Sequence, residues 1–267
     1  MTKGCFLLIN LFFFIFTSSF GQDFEVAPVL VKFDANPGES QTKTLTIRNH
    51  NPEKQKFTLS LTDYVLTPDG TKKQLEAGAS SNTLADWMNI NPAFVELNPN
   101  ESASIELNMS VPRDGFSTRW GMIHVQMAKE QTPSQADKQL ATGVILVPRI
   151  VVLVQQSPKA NQNYNAGVKN LSEVTKPGDK FRSFEATISN TGDKVIDAKV
   201  FLALANLATA EEQQFNTKTV TVYPGFERKV SLTLPVTPAN GKYAVAFLMD
   251  YGNNTAIEGA QVLLEVK

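Results

Sequence analysis

The chain has 267 residues and few histidine or cysteine side chains for acid–base, thiol or metal chemistry. There are two histidines, His50 and His124, and one cysteine, Cys5. His50 stands in the turn signal Asn49-His50-Asn51-Pro52 and reads as solvated. His124 lies inside the alternating stretch Arg119–Met127 and reads as structural. No HExxH, GxSxG, Walker A, GxGxxG or EF-hand pattern occurs. Asp250, Asn253, Asn254 and Glu258 could gather oxygens around calcium in one loop, although Tyr251-Gly252-Asn253-Asn254 reads more simply as a polar hairpin loop. Trp87 offers either a sugar-stacking face or a side chain packed on its own sheet. These residues predict a non-enzymatic protein with no catalytic residue, no metal and no cofactor.

The one place where chemistry and unusual patterning meet is Gly143–Val154 (GVILVPRIVVLV). Even positions give Val144, Leu146, Pro148, Ile150, Val152 and Val154, and odd positions give Ile145, Val147, Arg149, Val151 and Leu153. Both faces are apolar, whereas a sandwich strand turns only one face to its own core. The other face needs cover, either from the neighbouring domain or the 128–142 loop, or from a partner strand that adds main-chain bonds and alternate side-chain contacts. Pro148 would keep such an edge from pairing indiscriminately. A guanidinium is harder to bury than a valine, so the odd face is the expected partner face: Ile145, Val147, Arg149, Val151 and Leu153. Arg149 would then be free to meet a carboxylate.

The elements that must position this stretch are strands. Pro37 to Leu61 reads turn, strand, turn, strand, and Pro177 to Leu204 repeats the plan. Leu97-Asn98-Pro99-Asn100-Glu101 before Ile105 and Leu107 is echoed by Val222-Tyr223-Pro224-Gly225-Phe226-Glu227 before Val230 and Leu232. Two ordered phrases at matching places make an internal repeat, each copy about the size of a β-sandwich domain of ~100 residues. The fold class is therefore all-β, with two tandem immunoglobulin-like sandwiches. The expected divisions are 1–21 as signal peptide, 22–155 as the first domain, 156–165 as linker and 166–267 as the second domain. Pro28 inside Phe24–Phe33 suits an edge strand or a strand that switches sheets. Ser80–Met88 is the best helical candidate, a turn or two at most. Tyr243, after Asn240-Gly241, resembles a tyrosine corner, with Trp120 expected to fill the corresponding space in the first domain.

Composition adds an address. Lys3 precedes the apolar run Phe6–Phe16, and Ser19 and Gly21 have the spacing of a cleavage site before Gln22. The run is too short to span a bilayer as a stable helix. Cys5 precedes that run, so the mature chain has no cysteine for disulfides, thiol catalysis or zinc. Charge is near balance, with 25 basic and 26 acidic residues, and no basic field for nucleic acid is evident. An exported protein without a later membrane span is expected, periplasmic or on the cell surface.

Two families are similar. Val31-Lys32-Phe33-Asp34, Leu45–Asn49, Pro92 to Pro99, the 128–142 loop and the strand 143–154 running to Pro158 resemble the N-terminal domain of periplasmic pilus-assembly (PapD-like) chaperones. That resemblance implies capping of subunits by strand addition, with two basic residues in the interdomain cleft. Here Leu30 stands at the first basic position with Lys32 nearby, Arg149 is the nearest basic residue to the second, and Arg119-Trp120-Gly121-Met122 replaces a charged-polar signature. Over the mature chain, Phe24-x-Val26-x-Pro28, Pro37-Gly38, Asn49, Thr67-x-x-Gly70, Leu97-x-Pro99 and Asn190…Pro224…Gly241-x-Tyr243 resemble WxL-interacting cell-surface proteins. That second resemblance implies surface protein partners and cell wall as ligands. The partner expected from either is a protein, an extended strand or a surface subunit.

Overall fold

A computed structural model describes residues 23–128 and 147–267. The expected signal peptide and most of the 128–142 loop lie outside these residues. The described residues form two β-sandwiches of immunoglobulin type and contain no α-helix. In the first, the strands are β1 (Phe24–Ala27), β2 (Leu30–Phe33), β3 (Ser40–Asn49), β4 (Gln55–Leu66), β5 (Lys72–Leu75), β6 (Met88–Asn91), β7 (Phe94–Leu97), β8 (Ser102–Ser110), β9 (Arg119–Met127) and β10 (Arg149–Gln156). One sheet has the order β1-β3-β8-β6 and the other β2-β10-β9-β4-β5, with β7 also on β4. Alternation turns Leu45, Ile47, Ile105 and Leu107 of the first sheet against Phe57, Ile123, Val125, Val152 and Val154 of the second, forming one apolar core.

The second sandwich comprises β11 (Ala166–Glu173), β12 (Ser183–Asn190), β13 (Ile196–Asn206), β14 (Glu212–Val222), β15 (Glu227–Thr233), β16 (Gly241–Asp250) and β17 (Glu258–Val266). Its sheets run β11-β12-β15 and β14-β13-β16-β17. The tyrosine corner is present here: the Tyr243 hydroxyl donates to Ala239 O at 3.0 Å.

The repeat has a physical core in two buried asparagines. Asn49 Nδ2 donates to Glu53 O, Leu97 O and Asn98 O, while its Oδ1 accepts from Asn51 N–H. Asn190 Nδ2 donates to Lys194 O and Val222 O, while its Oδ1 accepts from Gly192 N–H. Each asparagine satisfies carbonyls that a turn would otherwise leave buried and unpaired, and so ties a strand end to the next turn.

Two expectations need correction. Ser80–Trp87 is a series of turns rather than a helix. Asp63, buried on β4, accepts from Ser80 N–H and the Thr83 hydroxyl and holds those turns to the sheet. Leu84, Trp87 and Met88 still enter the core, which is the apolar pattern that suggested a helix. Trp120 does not fill a tyrosine-corner space. It lies between the two sandwiches, as described below. The strand expected at 143–154 is seen over Arg149–Gln156, and residues 143–146 lie outside the described ones.

Candidate functional site

The site is built on the outward face of the β2-β10-β9-β4 sheet, and register defines its rows. Nearest the second sandwich, Lys32, Gln155 and Trp120 align, with the Tyr64 ring 6.5 Å from that of Trp120. The next row is Leu30, Leu153, Met122 and Thr62. Beyond it come Val151, His124 and Ser60, and then Arg149, Gln126, Thr58 and Phe94.

The first row is closed by the second sandwich. Trp120 packs edge-on against Tyr223 at 4.9 Å and Phe226 at 5.9 Å, and its Nε1–H donates to Tyr64 O. The Tyr64 and Tyr223 hydroxyls bond each other at 2.7 Å, and Gln155 Nε2 donates to Tyr223 at 2.7 Å. Burial pushes both phenols above the ordinary tyrosine range, so they stay protonated. Around this cluster, Lys229 N–H donates to Pro68 O, Lys194 Nζ to Pro158 O and the Thr118 hydroxyl to Asp193 O; Lys32 pairs with Asp197 at 3.6 Å. Lys194 is buried, and desolvation holds its amine below the ordinary lysine range. These contacts set the angle between the sandwiches and leave the later rows facing outward.

The outer rows have a different edge. After the cis Ala27-Pro28 bond the chain leaves β3, with β1 paired to β3 and β2 paired in parallel to β10. That parallel pairing begins at Leu30↔Leu153, with Leu153 N–H donating to Val29 O at 2.9 Å. Before Leu153, β10 pairs only with β9 among the described residues. Pro148 O accepts from Met127 on the β9 side, so by alternation the N–H and C=O groups of Arg149 and Val151 point to the free edge.

Of the residues expected at the site, Val147, Arg149 and Val151 are exposed and Leu153 is half-buried, while Val152 and Val154 of the opposite face are in the core. The odd face is therefore the outward one. Ile145 lies outside the described residues. Arg149 makes no ion pair among the described residues, so its guanidinium is available to a carboxylate. Sequence reasoning passed over Val29, which is 58% exposed, as a contact residue and treated Leu30 only as a missing basic residue. Both extend the apolar edge beside Leu153. The signal was in hand: two apolar residues directly after the proline that breaks the first strand. His50 is exposed and lies 3.1 Å from Glu25; His124 is buried in the third row, 2.7 Å from the Thr62 hydroxyl.

No protein-family model and no curated protein matches the chain. Among solved structures, the chain is similar to one described as "Chaperone-tip adhesin complex is vital for synergistic activation of CFA/I fimbriae biogenesis", at TM-score 0.50 and 13% identity over 91% of this chain and 98% of that one. The class 5 fimbriae chaperone CfaA aligns at TM-score 0.49 and 13% identity over 91% and 99%, and the E. coli chaperone DraB at 0.43 and 14% over 91% and 98%. The first likeness shows a shared fold that extends across both sandwiches. Nothing in these likenesses supports the resemblance to WxL-interacting proteins. Among the described residues, no helix is long and apolar enough to cross a membrane.

Proposed function

We propose that the chain is an exported, non-enzymatic assembly protein that holds a partner protein by strand addition along β10. The single observation that carries this is the edge over Arg149–Val152, where backbone groups with no partner among the described residues run beside the exposed side chains of Val147, Arg149 and Val151. Leu153, Val29 and Leu30 extend the apolar contact, and Arg149 takes a carboxylate of the partner. The fold likeness supports the reading, because fimbrial chaperones share this architecture. On this reading residues 1–21 are removed on export to the periplasm, and 156–165 joins a partner-binding domain (22–155) to a second one (166–267).

The test is capture of a short synthetic peptide that alternates valine with threonine. The double variant Val147→Ser, Val151→Ser should lose most capture while its melting temperature stays within about 2 °C, since both side chains lie outside the core. A large loss of stability, or unchanged capture, would sink the reading.

A further inference from the structure

His124 is the one group on the partner face whose burial and bonding do not match its position. It belongs to the outward row with Ser60 and Val151, yet only 4% of its surface is exposed. Its Nε2 meets the Thr62 hydroxyl at 2.7 Å, and its Nδ1 is buried without a hydrogen-bond partner among the described residues. A neutral ring leaves one nitrogen unsatisfied in this setting. A protonated ring would add a charge and a second N–H with the same lack of partners.

Among the described residues, the charged groups around it give an imidazolium no counter-ion. From β10 the facing charge is Arg149, a cation. On β4, Asp63 is turned to the opposite side and spent on Ser80 and Thr83. Lys56 lies further along β4 and pairs with Glu96 of β7, which also holds Lys54. On β2, Lys32 is paired with Asp197. Within β9 the flanking outward residues are Met122 and Gln126, and the phenols of Tyr64 and Tyr223 stay protonated.

We infer that His124 gates the partner face by pH: neutral, it lies beneath an apolar occupant, and protonated, it loosens the β9–β10 face and releases that occupant. This rests on the proposed strand-addition reading and adds regulation to it. Burial, helped by Arg149, holds the imidazole below the ordinary histidine range. The folded state therefore favours the neutral ring, a contribution fully present above about pH 6.5 and lost as pH falls below it. The ring is already almost out of water, so protonation requires the face to open; an occupant over Val151 holds the face closed, so the bound state takes up fewer protons and acid favours release.

The experiment uses the full chain and three readouts across about pH 8 to 5: ring titration of His124 by NMR, amide exchange of Ile150 and Val152 relative to Leu45 and Ile47, and capture of the valine–threonine peptide. His124 should titrate below about 6.5, and capture should fall by up to about tenfold per unit by which binding shifts that midpoint. His124→Gln should flatten the pH profiles of exchange and capture. Arg149→Gln, an exposed change that leaves folding intact, should move the His124 midpoint up. A midpoint at or above the ordinary value, or equal acid sensitivity of exchange in wild type and His124→Gln, would overturn the gate. If the peptide is not captured even at neutral pH, the partner reading fails, while titration and exchange still decide whether His124 loosens the face.

Discussion

The two halves of β10 differ in what their neighbours supply. From Leu153 to Gln156 the strand is paired on both sides, by β9 and β2; Gln155 is sealed by the second sandwich, and Leu153 packs half-buried against the same aromatic cluster. From Arg149 to Val152 it is paired on one side only among the described residues, and its outward residues stand exposed. Composition does not separate them, since Val151 and Leu153 are alike. What separates them is where β2 begins. The four-residue length of β2, set by the break at Pro28, converts one continuous strand into a structural half and an available half.

The largest expected effect lies in the sealed half. Trp120, in the Gln155 row, is 1% exposed and touches rings from both sandwiches. Trp120→Ala should cost about 3–5 kcal/mol and separate the unfolding of the two sandwiches into two transitions in urea. A single transition with a loss under about 1 kcal/mol would mean the interface does not couple them. Tyr223→Phe removes less. It leaves the Tyr64 hydroxyl and Gln155 Nε2 without their shared partner, so a loss of about 1–3 kcal/mol is expected from chemical denaturation.

The sealed half also shows what a sequence conveys and what it withholds. The repeat was legible because Asn49 and Asn190 sit at the same place in two copies of one phrase, but that both are buried and bond turn carbonyls was not. The sheet switch at Pro28 was legible because a proline inside an alternating run has few places in a sheet. Trp120 was not. Arg119–Met127 is apolar on alternate sides, which says that both faces are covered, but only the register with Gln155 and the position of Tyr223 say by what. The turns at Ser80–Trp87 imitated a helix because their apolar spacing matches one, while the competing bonds come from Asp63, distant in sequence. An edge open to a partner strand was expected over 143–154, but its end at Leu153 was not legible, for a similar reason: the apolar run from Val147 to Val154 carries no mark of where its parallel partner starts.

The smallest effect on stability is the sharpest test of the comparison, and it comes from moving one substitution along the strand. Proline removes an N–H and fixes φ, so its cost depends on whether that N–H was bonded. At Leu153 it was: the N–H donates to Val29 O, and Leu153→Pro should cost about 2–3 kcal/mol. At Val151 the N–H points to the free edge, where proline is tolerated in sheets, so Val151→Pro should cost about 1 kcal/mol or less. The same substitution also deletes a donor that an added strand needs, whereas Val151→Ser deletes only side-chain contact. Val151→Pro should therefore abolish peptide capture while melting close to wild type, and Val151→Ser should weaken it less. If Val151→Pro destabilises as much as Leu153→Pro, the edge at Val151 is already paired within the chain, and β10 has no available half.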